Sequence, residues 1–182
     1  MNSTVLQRWV DEMLETSSQQ WLLRALAVAT AVGAVLSAAA ANERWWPAGL
    51  VVVSVLAIAS AIRPDSHAAL AVVVVIVWHW LATVDGPGGP WLLIASLCLL
   101  VYHAVIALSA SLPTGGELSD ATVVQWLRRT ALGGGMTTVA WFFVVLLDRR
   151  DAAGNGLLTA VALAVLAAGA VLIRSRSLDQ PR

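Results

Sequence analysis

Long apolar stretches alternate along this chain with short polar or helix-breaking ones, and the alternation predicts its architecture. Apolar stretches run over residues 22–41, 45–62, 68–84, 91–112, 130–147 and 157–173. They are separated by Asn42, Glu43 and Arg44; by Arg63, Pro64 and Asp65; by Asp85 to Pro90; by Pro113 to Arg129; and by Asp148 to Asn155. A bilayer core about 30 Å thick is crossed by roughly 17 to 25 apolar residues at about 1.5 Å of helical rise each. Each stretch therefore matches one crossing, and the pattern predicts an all-α, polytopic transmembrane helix bundle of six spans. The third and sixth stretches are short, which calls for little tilt, local bilayer thinning or snorkelling by flanking groups.

Composition agrees with the pattern. Of the 182 residues 59% are hydrophobic and 12% charged, far from the soluble average of roughly 45 to 50% and 25%. Eleven basic residues balance eleven acidic ones, and there is one cysteine. That combination argues against a disordered chain, a nucleic-acid-binding surface and a disulfide scaffold. The lipid bilayer is the partner that the sequence itself specifies.

All the basic residues are arginines. With six spans both termini share one side, which carries Arg8, Arg63, Arg128, Arg129, Arg174, Arg176 and Arg182. The other side carries Arg44, Arg149 and Arg150. The excess of arginine predicts cytoplasmic termini and a multi-pass protein of a bacterial plasma membrane. Trp45, Trp46 and Trp91 then fall at the outer interface, and Trp21 and Trp126 near the inner one, where amphipathic indoles are favoured. Ala39, Ala40 and Ala41 would suit a signal peptidase, but Asp11, Glu12 and Glu15 outnumber Arg8 ahead of the first stretch, the wrong sign for a signal peptide.

Three regions follow: residues 1–20 as a cytoplasmic or interfacial segment, 21–173 as the transmembrane domain, and 174–182 as a cytoplasmic tail. Within the first, residues 2–16 carry Val5, Leu6, Trp9, Val10, Met13 and Leu14 on one helical stripe, with Arg8, Asp11, Glu12 and Glu15 opposite. This predicts an amphipathic surface helix. Its negative charge suits an anchor for the first span, or docking on a protein partner, better than attraction to anionic lipid. A second amphipathic segment follows Ser119 and Asp120, and its Arg128 and Arg129 have the sign expected beside lipid phosphates.

Helices in lipid associate through close backbone approach, which selects small residues at helical spacing. Ala25, Ala29, Gly33, Ser37 and Ala41 form such a ridge in the first stretch, Gly133 and Thr137 in the fifth, and Ala160, Ala164 and Ala168 in the sixth. These faces are expected to meet other helices or a second copy of the chain. Gly133, Gly134 and Gly135 must lie within the membrane, because a span beginning at Met136 would be only about 18 Å long. They mark either a close helix crossing or a hinge lining a cavity.

Ionisable side chains at membrane depth are functional candidates by default. Arg24 lies near the start of the first stretch and can snorkel to the interface. His79 sits in the third stretch, and His103 follows Tyr102 in the fourth. The antiparallel register of these two stretches places His79 level with Ser96 and His103 level with Val72, an offset of about 10 Å. A shared metal would need both imidazoles about 2 Å away, so none is expected between these two helices. A hydrogen bond between Ser96 and His79 is the specific contact the register suggests. Ser96, His103, Ala107 and Ser111 share a face that is expected to point inward. Cys98 reads as a packing residue. No catalytic residue, cofactor or phosphate loop is specified by any motif.

The runs Trp78, His79, Trp80, Leu81, then Pro90, Trp91, Leu92, then Tyr102, His103, Ala104, and the Arg128–Arg129 pair, give the chain a resemblance to small actinobacterial polytopic membrane proteins encoded near MoxR-type AAA+ ATPases. The resemblance covers mainly the middle third. It implies an accessory membrane component near an ATPase system and brings no catalytic residue with it. The sequence therefore points first to an accessory or assembly component that binds a protein partner. A small transporter or channel with a path near Gly133–Gly135 and His103 is the alternative, and a haem-binding redox protein using His79 or His103 is a third.

Overall fold

The computed structural model describes residues 17–43, 46–64, 66–84, 89–112 and 118–148. They form five helices: α1 (Ser18–Asn42), α2 (Pro47–Ile62), α3 (Ala68–Thr83), α4 (Gly89–Ala110) and α5 (Asp120–Asp148). No strand occurs among the described residues. Among the described residues three segments are long and apolar enough to cross a membrane: α1, α4 and Asp120–Leu146 of α5. At 16 residues each, α2 and α3 reach about 24 Å. The expected surface helix over 2–16, the sixth stretch with Ala164, and the tail from 174 lie outside the described residues.

Local chemistry sets the helix ends. Ser17 caps α1 by accepting the Gln20 amide at 3.4 Å, which serves one of the amides that lack a partner in a first turn. Glu43 adopts a left-handed conformation with φ of 55° and stops the helix. Pro47 opens α2, where its missing N–H costs nothing. At the start of α5, Ser119 Oγ accepts the Thr122 amide at 3.3 Å. From there the helix runs on without a break, so the amphipathic segment and the fifth apolar stretch are one element of 29 residues. Neither proline nor glycine interrupts residues 121–132, and polar surface residues do not end a helix by themselves.

The main helix pair is α1 with α4; α1 also packs on α2 and α3. Gln19 Oε1 accepts the Leu118 amide at 2.8 Å at one end, while Ala38 and Ala95 share a small apolar cluster towards the other. The two helices are thus antiparallel. Leu23, Ala27, Ala31, Ala34, Val35 and Ala38 form the buried stripe of α1, and the many alanines let the helices approach closely.

This stripe coincides with the expected ridge only in part. Ala25 and Ala29 face outward, Gly33 and Ala41 are half-buried, and only Ser37 is buried. Residues spaced by four advance about 40° per step around a helix of 3.6 residues per turn, so a strict four-residue ridge winds out of a straight interface. It crosses the contact at Gly33 and Ser37 and leaves it at Ala29.

The chain divides into two compact units, Met1–Trp141 and Phe142–Arg182. In the first, α5 lies antiparallel to α4: Trp126 Nε1 donates to Ala104 O at 3.1 Å and Trp141 Nε1 to Gly89 O at 2.9 Å. The described part of the second unit is the end of α5, where the Phe142 and Phe143 rings meet edge to face at 6.5 Å.

Candidate functional site

Polar side chains inside the described bundle are few: Ser37, Ser60 and His79 are buried, and Tyr102 reaches the interior with its phenol. Helix α4 brings Tyr102 to α2, where its Oη lies 2.8 Å from Ser60 Oγ. Tyr102 is only 1% exposed. This contact joins a residue singled out in the sequence to one that was not. Ser60 gives no signal by itself, because a serine in an apolar helix can satisfy its own hydroxyl on the preceding turn, and Ser60 does so to Ala57 O at 2.8 Å.

His79 of α3 is 7% exposed, and its Nε2 has no hydrogen-bond partner. Ser96 is half-buried and does not bond it, so the expected cross-hairpin hydrogen bond is absent. The vertical register itself is as expected: Trp80 and Ala95, which it places level, pack together with Ala38. Trp46 takes the place beside the imidazole instead, with ring centroids 4.3 Å apart and planes inclined by 26°. Gly49 makes this possible, because the indole occupies the space that any larger side chain at position 49 would fill. Val35, Leu36, Ala39 and Leu50 complete the surroundings, and the recess leaves no room for a water molecule.

His103 is exposed, as are Ala107 and Ser111. The face expected to point inward therefore points away from the described helices, and Ala95, Tyr102, Val105, Ile106 and Leu108 are the buried residues of α4. Adjacent positions on a helix differ by about 100°, which separates the directions of Tyr102 and His103. Among the described residues no three His, Cys, Asp or Glu side chains gather where they could hold a metal ion.

The three glycines of α5 divide by role. Positions 133 and 134 face Leu100 and Leu97 of α4, and a Cβ added at either would be in ordinary contact at 3.4 to 3.5 Å. Gly135 faces nothing within 4 Å. Thr137 and Thr138 return their hydroxyls to Gly133 O and Gly134 O, each at 2.9 Å, and Ser37 does the same to Gly33 O at 2.7 Å. On α4, Cys98 fills the space opposite Gly33, with its Sγ 3.2 Å from where a Cβ would stand.

Sequence reasoning missed a second recess. At the end of the bundle where α1 begins and α2 and α4 finish, a cavity of about 180 Å³ is lined by Gln20, Arg24, Ile62, Pro64, Ser109 and Leu112. The Arg24 guanidinium lies 5.2 Å from the centre of the Trp21 ring. Arg24 was the residue of this set that the sequence marked for chemistry; the rest come from three helices and the turns after two of them, and share no pattern along the chain. Compared with family models, curated proteins and solved structures, the chain matches none.

Proposed function

We propose that the chain is a six-span bundle of a bacterial plasma membrane, both ends cytoplasmic, that serves as an accessory or assembly component for a protein partner. The observation that carries this reading is the close packing at three places within the described helices. Ser60 and Tyr102 satisfy one another, the recess beside His79 does not admit water, and Gly133 and Gly134 are covered by leucines of α4. A transport path needs polar groups lining an open route, which these contacts do not provide. A haem at His79 would have to displace Trp46, and His103 lies on the outward surface. Interaction is left to the ends and the outer faces. The amphipathic segment 2–16 is the first candidate for partner contact, and the resemblance to proteins encoded beside AAA+ ATPases makes an ATPase of that class the partner to try first.

The test is purification of the tagged full-length chain with and without residues 1–16. Retention of a defined partner by the full chain, and its loss from the shortened chain that still inserts into membranes, is the expected result. Solute flux through liposomes containing the purified protein, abolished by filling Gly134 with leucine, would overturn it in favour of a transporter.

A further inference from the structure

We infer that the cavity at the start of α1 binds a phosphate group at the membrane surface, with Arg24 as the residue that recognises it. Four observations converge there. The cavity, about 180 Å³, exceeds the roughly 30 Å³ that one water occupies in the liquid. Arg24 lines it and, among the described residues, has an aromatic ring rather than a carboxylate as its neighbour. The guanidinium fork matches two phosphate oxygens at once, and Ser109 lines the same space. Beside the polar Gln20, the walls formed by Ile62, Pro64 and Leu112 are apolar and suit the glycerol or acyl portion of a lipid.

Among the described residues at this end of the helices, Arg24, Arg128 and Arg129 stand against Asp120, whereas Glu43 lies at the opposite end. Arg24 is about two turns into α1, a depth from which an arginine reaches the phosphate level of a bilayer. Basic pockets between membrane helices are suited to anionic head groups for these reasons. The shared ligand chemistry is a phosphate monoester or diester, carried by a lipid head group or free in solution.

The inference rests on the chain being embedded in a membrane, and the experiment separates the two. Full-length protein is extracted from membranes into detergent, and its thermal unfolding is followed with added phosphatidylglycerol, with phosphatidylcholine of the same acyl chains, or with inorganic phosphate. Wild type is expected to be stabilised by phosphatidylglycerol more than by phosphatidylcholine. Arg24→Gln should weaken the effect about tenfold or more, the scale of one charge-assisted hydrogen bond, while Glu43→Gln, at the opposite end of the helices, retains it. Protection by inorganic phosphate that depends on Arg24 would identify the free anion as the source and still support the site. Ser109→Leu fills the cavity without altering charge and should abolish protection even where Arg24→Gln proves unstable. Equal stabilisation by both lipids, or protection that survives both Arg24→Gln and Ser109→Leu, overturns the inference. Protein recovered in the soluble fraction without detergent would instead overturn the membrane reading beneath it.

Discussion

Tyr102 donates its phenolic proton to Ser60 Oγ across 2.8 Å, because the single Ser60 proton is already given to Ala57 O at 2.8 Å. A hydroxyl has one proton and two acceptor sites, so the direction of the contact between α4 and α2 follows from the bond within α2.

That direction makes the two deletions unequal. Tyr102→Phe removes one donor and leaves Ser60 satisfied on its own helix, for a loss of about 1 kcal/mol or less. Ser60→Ala strands a phenolic O–H that is 1% exposed, for about 1 to 3 kcal/mol. Unfolding titrations in mixed detergent micelles measure both; equal losses would mean that the proton runs the other way.

At the crossing of α1 and α4, Gly33→Ala sets two effects against each other. Alanine is the better helix former by about 1 kcal/mol, but its methyl would stand 3.2 Å from Cys98 Sγ. The expected outcome is near-neutrality in the wild type and stabilisation of up to about 1 kcal/mol when Cys98 is also alanine. Gly33→Leu should destabilise by about 1 to 3 kcal/mol through overpacking. Melting temperatures of Gly33→Ala, Cys98→Ala, the double variant, Gly33→Leu and the parent decide the matter.

What could be read from the chain was its all-helical character and the order of the described helices, because a long apolar run has few other ways to satisfy its backbone. Rotation about each helix axis was not legible. Tyr102 and His103 are neighbours, and only the packing of α4 tells which of them is inside. In the same way the ridge through Ala29 and Gly33 reads as straight along the sequence and winds around the helix in space. The partner of His79 was missed because Trp46 precedes its helix and reads as an interface anchor; the one local signal was Gly49, a small residue three positions on. Helix α5 was divided in two because polarity changes at Arg129, although nothing there breaks the backbone.

The register between α4 and α5 is open to cross-linking. Gly134 stands 3.5 Å from Leu97 Cδ2, counted from an added Cβ, and Gly135 meets nothing. In a Cys98→Ala background, Leu97→Cys paired with Gly134→Cys should be joined efficiently by a short thiol reagent, and Leu97→Cys with Gly135→Cys poorly. A reversal of that order, read from mobility after proteolysis between the helices, would place the glycines against another neighbour.

Trp46 shields His79 only because Gly49 makes way for it. Gly49→Ala should push the indole aside, costing about 1 to 3 kcal/mol, and should open the imidazole to acylation by diethyl pyrocarbonate. Mass spectrometry of the modified peptides would show His79 labelling rise towards that of His103, which is exposed already. A protected His79 in this variant would mean that α2 and α3, rather than the indole, provide the cover.

The hydroxyls that Ser37, Thr137 and Thr138 return to the glycine carbonyls of their own helices leave the crossing faces electrically quiet. No hydrogen bond from these hydroxyls crosses between helices; the bonds that join α4 and α5 come from Trp126 and Trp141, away from the glycines. The grip of these contacts is a matter of shape, so it should depend on how well acyl chains compete for the same grooves, and a change of lipid would loosen or tighten the bundle where a change of salt would not.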